Sequence, residues 1–283
     1  MEQHNLPLVD AIDMEIIMHR DAHFGSSFDE MIAYYKKDGV GVMPDFEIEA
    51  IEKLKKIEEE LEKSIALAYL PEPAKKIIAE SQALYQVLRE TYSKETPEPF
   101  ATLLSDLILT EEVIPEEPIA ALVKEGKTVV PALINLLASY TFYDPLYPGY
   151  GRAPIFAAKA LSQIQDDRAI APLFEALGQE NFFTDEEIIK ALTTFGDKAK
   201  AFLIKILKNE PFSKDNEFAA IVLSSFPEKD ESIAKKALEI LSKENTLKSP
   251  VFATYLIFIC SELEKDEDKQ AFIAISKKAV SYT

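Results

Sequence analysis

Residues 157–177 read AAKALSQIQDDRAIAPLFEAL, and residues 188–207 read IIKALTTFGDKAKAFLIKIL. Ala160-Leu161 recurs as Ala191-Leu192 after 31 residues, and Ile164 recurs as Phe195 at the same interval. Asp167-Arg168-Ala169 returns as Asp197-Lys198-Ala199 after 30 residues. Phe156-Ala157-Ala158 reappears as Phe218-Ala219-Ala220 after 62 residues, two periods, and Phe218-Ala219 as Phe252-Ala253 after 34. A unit of 30–34 residues is short for a domain and right for two helices with two turns.

Each unit has the same internal logic. A first helix carries small and large apolar residues at helical spacing: Phe156, Ala157, Ala160, Leu161, Ile164. A turn follows, and an Asp there (Asp166 or Asp167, Asp197, Asp230) can cap the next helix by accepting from its free backbone N–H groups. A second helix repeats the spacing at Ile170, Leu173, Phe174 and Leu177. Alanines let neighbouring helices approach closely, and the apolar stripe of one pair is completed by the next.

Extended outward, the pattern predicts helix pairs at 115–125 with 127–139, 151–165 with 168–179, 184–195 with 197–209, 215–226 with 230–244, and 249–263 with 266–280. Pro131, Pro154 and Pro172 fall in first turns, where a missing N–H costs least. The expected fold is all-α: an α-α superhelix over residues 113–283, preceded by an acidic helical region over 1–112. In that region DFEIEAIEKLKKIEEELEKSIALAYL reads as a helix capped at Asp45, and PEPAKKIIAESQALYQVLRETY as a second opened by its prolines. KKDGVGVMPDF reads as a loop and KETPEPF (94–100) as a linker.

The segment AAKALSQIQDDRAIAPLFEALG resembles the HEAT-like repeat of the phycobilisome-lyase type. The shared elements are Ala157-Ala158, Ala160-Leu161, the Asp166-Asp167-Arg168-Ala169 turn and Pro172-Leu173. The match fades in neighbouring units, where Asp167-Arg168 becomes Asp197-Lys198 and then Asp230-Glu231. The resemblance implies an α-solenoid and, most often, protein binding. It also raises a bilin-lyase-like accessory role. It carries no catalytic residue to any position here. The HEAT-repeat hydroxylases build iron sites from His-Glu pairs inside their repeats, and this chain's His residues, at 4, 19 and 23, all precede the repeats. The HEAT-like DNA glycosylases use a basic face, whereas these repeats are net acidic.

Charge points the same way. The formal net charge is −18, and residues 1–115 carry 24 Asp+Glu against 11 Lys+Arg. Phosphate backbones repel such a chain and basic protein partners are attracted to it. The sequence therefore predicts a protein partner of basic character, and neither nucleic acid nor membrane. No basic start, apolar leader or membrane-length apolar run is present, and the single Cys260 cannot form an internal disulfide, so a cytoplasmic protein is expected.

Two groups of residues are candidates for function. Glu15, His19 and His23 fall four apart, which puts them on one helical face, and two imidazoles at that spacing can share a metal. The zinc-protease pattern is absent, and a helix end with local packing is the competing reading. No cofactor is implied. The stronger candidate is SYTFYDPLYPGYGRAP (139–154), an unusually long connection between two repeats. Its Tyr140, Phe142, Tyr143, Tyr147, Tyr150 and Arg152 are of the types enriched at binding hot spots. Such a loop either presents its rings to a partner or clasps the helices beneath it.

Overall fold

A computed structural model describes residues 9–179, 182–227 and 230–280. Among these residues there are sixteen α-helices and no strand, so the fold is all-α as the periodicity requires. The chain divides into two compact units, residues 1–160 and 161–283, with the division inside α9 (Ala153–Ile164). His4 lies outside the described residues.

The first unit contains α1 (Ala11–His23), α2 (Phe28–Tyr35), α3 (Ile48–Leu61), α4 (Ile65–Tyr69), α5 (Glu72–Glu90), α6 (Ala101–Ile108), α7 (Glu116–Lys124) and α8 (Val130–Ala138). Residue 113, where the sequence sets the start of the array, lies between α6 and α7, and these two helices pack together. Asp10 and Asp13 close a reciprocal capping box at the start of α1. Ile16 and Ile17 of α1, Met31 of α2, Ile51 and Leu54 of α3 and Ile65 of α4 form a fully buried core. Each such aliphatic side chain contributes about 1.5–3 kcal/mol by leaving water.

The predicted helix from Asp45 is shorter and divided. Glu47 takes the N-cap position without a side-chain bond, and the helix ends at Glu62 in a left-handed conformation before α4 begins. The break has a polar partner beneath it. Glu58 accepts from the Ile65 backbone N–H at 2.9 Å and from Arg20 Nη1 at 2.7 and 2.8 Å. Arg20 is fully buried; it also pairs with Asp21 and lies 4.3 Å from the centre of the Phe28 ring. A buried guanidinium needs charged acceptors, which come here from Asp21 of α1 and Glu58 of α3, while α2 adds the ring of Phe28.

The second unit contains α10 (Ile170–Glu175), α11 (Phe182–Thr193), α12 (Asp197–Leu207), α13 (Lys214–Ser224), α14 (Glu231–Leu241), α15 (Pro250–Cys260) and α16 (Asp266–Val280). Helices two apart pack on one another: α10 on α12, α11 on α13, α13 on α15, α14 on α16. That is the stacking a helix-pair repeat demands. Asp166 and Asp230 cap as their positions predict, accepting from Arg168 N and from Ser232 N and Ile233 N. Asp197 does not cap. It is the first residue of α12, and Gly196 occupies the cap position.

The repeat period also governs the polar contacts. Gln165 Nε2 donates to Thr194 Oγ1 at 2.8 Å, 29 residues on. Lys198 Nζ meets Asp167 at 2.8 Å across 31 residues, and the Asp230 N–H donates to Glu262 at 3.0 Å across 32. Ser249 Oγ donates to Glu217 at 2.6 Å, again across 32. Each bond spans close to one repeat length.

Candidate functional site

The long loop docks on the first unit's N-terminal helices. Pro145 is held by the α1 end: His23 Nε2 donates to its carbonyl at 2.9 Å. Because a carbonyl only accepts, Nε2 carries the proton and Nδ1 must accept, which it does from Tyr85 Oη of α5 at 2.8 Å. Leu146 is anchored twice, its carbonyl accepting from Ser81 Oγ at 2.7 Å and its N–H donating to Asp144. Tyr147 Oη donates to Glu80 of α5 at 3.0 Å. Tyr143 turns back to α8 and donates to the Leu137 carbonyl at 2.8 Å.

Tyr150 packs its ring against the N-terminal helices. Its ring lies 4.6 Å from the His23 ring and 6.2 Å from Tyr34. It also lies against Gly41, where a Cβ would stand 2.4 Å from the ring. The glycine of the KKDGVGVMPDF loop therefore makes room for an aromatic face. Gly151 does similar work: at φ 75° its α-carbon faces the Tyr143 carbonyl, and a Cβ there would be 2.7 Å away. The Tyr150 hydroxyl lies beside those of Tyr34 and Tyr85; Tyr34 donates to Glu111 at 2.7 Å and Tyr85 donates to His23, so the single Tyr150 proton serves one of the two at a time. A cluster of polar groups thus extends from Glu111 past Tyr34, Tyr150 and Tyr85 to His23. Burial is the main cause that pushes the Tyr150 hydroxyl's pKa upward, followed by neighbouring Tyr85, Tyr34 and Glu111. Burial likewise pushes Tyr85 up to about 12.

Arg152 ends the clasp. Its Nη2 donates to the carbonyls of Glu112 and Val113, both at 2.7 Å, and its guanidinium lies 4.9 Å from the Phe156 ring. Of the six residues expected to bind, Tyr140 stands in solvent, at 74% exposure; Phe142, Tyr143, Tyr147, Tyr150 and Arg152 are half-buried.

His19 and His23 do meet, with ring centres 5.4 Å apart. His19 is buried against Phe46, while Glu15 is exposed. Both His23 ring nitrogens are engaged. Burial lowers the His19 pKa to about 3 and the His23 pKa to about 4, so both are neutral at physiological pH. Among the described residues, no three His, Cys, Asp or Glu side chains gather as a metal site. Beside His23 and Tyr85 runs a groove of about 530 Å³, with Asp21, Gln82, Arg89 and Glu90 on its walls.

A different surface comes from α15. Its inner face, Phe252, Ala253, Leu256, Ile259 and Cys260, is buried. The Cys260 thiol is pushed up to about 12 by burial and is an inert core group. The outer face is apolar as well. Val251 and Phe258 are 50% and 56% exposed, and Tyr255 between them packs edge-on to Phe258 at 5.9 Å. Residues 251, 255 and 258 fall on one helical stripe. The sequence signal was present in TYLIFIC, which has no polar face, but a core strip and a two-sided apolar helix look alike until neighbours are placed.

The stacked helices and the bonds at one repeat interval define a helical-repeat protein. Residues 155–179 match the PBS lyase HEAT-like repeat, so the chain carries a HEAT-like repeat at α9, its turn and α10. No curated protein and no solved structure matches the chain. Among the described residues, no helix is long and apolar enough to cross a membrane.

Proposed function

We propose that this helical-repeat chain is a non-catalytic protein-binding module, and that the outer stripe of α15 is a principal contact surface. The observation carrying this reading is the exposure of Val251 and Phe258 around Tyr255 on a helix whose other face is already buried. Large apolar side chains grouped on a surface mark interaction sites, and aromatic residues concentrate at their energetic centres. A net charge of −18 favours a partner with basic residues at its rim, since opposite charge accelerates encounter. The long loop takes a supporting role, with Tyr140 as its accessible ring.

Site-specific photo-crosslinking tests the reading. A photoreactive residue at 255 or 258 is expected to trap one defined partner, and one at exposed position 198 is not. Phe258→Ser is expected to weaken capture of that partner without altering the helical content. Equal trapping at all three positions would remove the assignment.

A further inference from the structure

A hollow of about 330 Å³ opens on the second unit among residues of α10, α12 and α13. Phe174 and Leu177 form its buried part, and Phe202, Ile206 and Phe218 are its half-buried walls. The Phe174 and Phe202 rings meet edge-on, with centres 5.7 Å apart. The Phe218 ring reaches the turn after α10 because a glycine stands there. Gly178 has φ 79°, and a Cβ on it would lie 2.6 Å from that ring. Two exposed carboxylates, Glu175 and Asp215, complete the lining. Neither takes part in an ion pair among the described residues. Asp215 has a local reason for its place, the first turn of α13, where the helix dipole favours an acid. Glu175 has none: it ends α10, where the dipole disfavours one.

We infer that this hollow is the anchor pocket for a basic segment of a protein partner. One large apolar side chain enters between the three Phe rings, and Lys or Arg residues next to it in the partner meet Glu175 and Asp215. Size and lining set the first half. The volume lies at the low end for ligand pockets, which suits a single side chain. The Phe, Leu and Ile side chains offer no hydrogen-bonding group, so a polar insert would lose its water without compensation. Ring edges and faces favour an aromatic insert. Charge complementarity sets the second half, since two exposed carboxylates without a cation of their own border the apolar surface. A buried apolar anchor inside a charged rim is the arrangement in which interfaces concentrate their binding energy. The inference rests on reading the chain as a protein-binding module, but it uses no residue of the α15 stripe.

Titration of the full-length chain by NMR with three end-blocked tripeptides tests the inference: Arg-Phe-Arg, Arg-Ala-Arg and Glu-Phe-Glu. Arg-Phe-Arg is expected to saturate and to shift signals from residues 174–178, 202–206 and 215–218. Arg-Ala-Arg carries the same charge and reports non-specific attraction to an acidic chain; it should bind about tenfold more weakly or worse, the scale of one buried aromatic side chain. Glu-Phe-Glu should not bind. Glu175→Gln and Asp215→Asn should each weaken Arg-Phe-Arg roughly two- to fivefold, the range for an exposed ion pair. Both residues are exposed, so these variants keep the fold. Absence of localised shifts with Arg-Phe-Arg, equal binding of Arg-Ala-Arg or Glu-Phe-Glu, or unchanged affinity in the double variant overturns the pocket. Such a failure leaves the α15 assignment standing, because crosslinking at 255 and 258 decides that independently.

Discussion

The two units are both built from helices but are held together differently. In the second, polar contacts recur at intervals of 29–32 residues, close to one repeat length. In the first, the contacts span 38, 62, 65 and 122 residues and follow no period. A repeat array buries one apolar helix face after another and needs little polar specificity. An irregular bundle has to fix each helix individually, and here it does so with buried polar groups. The comparison teaches where each unit is vulnerable: the first at single polar side chains, the second at its apolar faces.

The largest expected effect tests the first half of that statement. Arg20→Ala removes the cation from a buried cluster and leaves Asp21 and Glu58 facing each other without it. Breaking a buried ion pair typically costs about 3–5 kcal/mol. Chemical denaturation read by hydrogen exchange is expected to show this loss in α1 and α3, with protection of α13–α15 unchanged. Equal loss in both units would mean that they unfold as one, and the contrast would collapse.

Acid provides the next test. The chain has three His, none of them in residues 161–283. His19 and His23 are held neutral in the folded state, at about 3 and about 4, while an unfolded imidazole titrates near 6.5. A lowered folded pKa means that the unfolded state binds the extra protons. Stability from these groups is complete above 6.5 and falls as the pH drops toward 4. By pH 5 the loss is about 2 kcal/mol per imidazole. Protonated His23 can no longer accept from Tyr85, so the loop's anchor at Pro145 should loosen together with the first unit. His23→Gln should flatten the stability profile between pH 6.5 and 5; a profile that keeps its slope would assign the sensitivity to other groups.

Tyr150→Phe is a milder probe of the same clasp. It removes one hydroxyl and leaves the ring on Gly41. The cost of stranding one hydrogen-bond partner is about 1–3 kcal/mol, and the low end is expected because Tyr85 and Tyr34 keep their own bonds to His23 and Glu111. Thermal unfolding of the first unit should register it. A change below detection would show that packing of the ring, and not its hydroxyl, holds the loop.

These differences also explain what could be read from the residues alone. Ala160-Leu161 and Ala191-Leu192 announce the array because a repeat writes the same contact several times. The helix pairs fall within a few residues of their predicted positions for that reason. Nothing in the spacing of His23, Tyr85 and Tyr150 announces their meeting, since each contact is written once and across a long stretch of chain. The rings of the long loop were legible as unusual; their destination against α1 and α5 was not. The α15 stripe was hidden for the opposite reason: its apolar residues match a core pattern so well that the outer face went unmarked.

The smallest effect sharpens the comparison furthest. Lys198 and Asp167 meet at 2.8 Å across one repeat, yet both side chains are more than half exposed, at 65% and 55%. Exposed pairs of this kind contribute only about 0.2–1 kcal/mol, because water screens the charges and two flexible side chains must be ordered. Lys198→Gln is therefore expected to leave the unfolding midpoint almost unchanged. Leu203, fully buried on the same helix, should by contrast cost about 2–5 kcal/mol when cut to Ala. If the Lys198 variant proved as damaging as the Leu203 one, the periodic polar bonds would themselves hold the repeats together. A near-silent Lys198 variant means that those bonds record the register of the array while its apolar faces supply the cohesion, the reverse of the division of labour around Arg20 and His23.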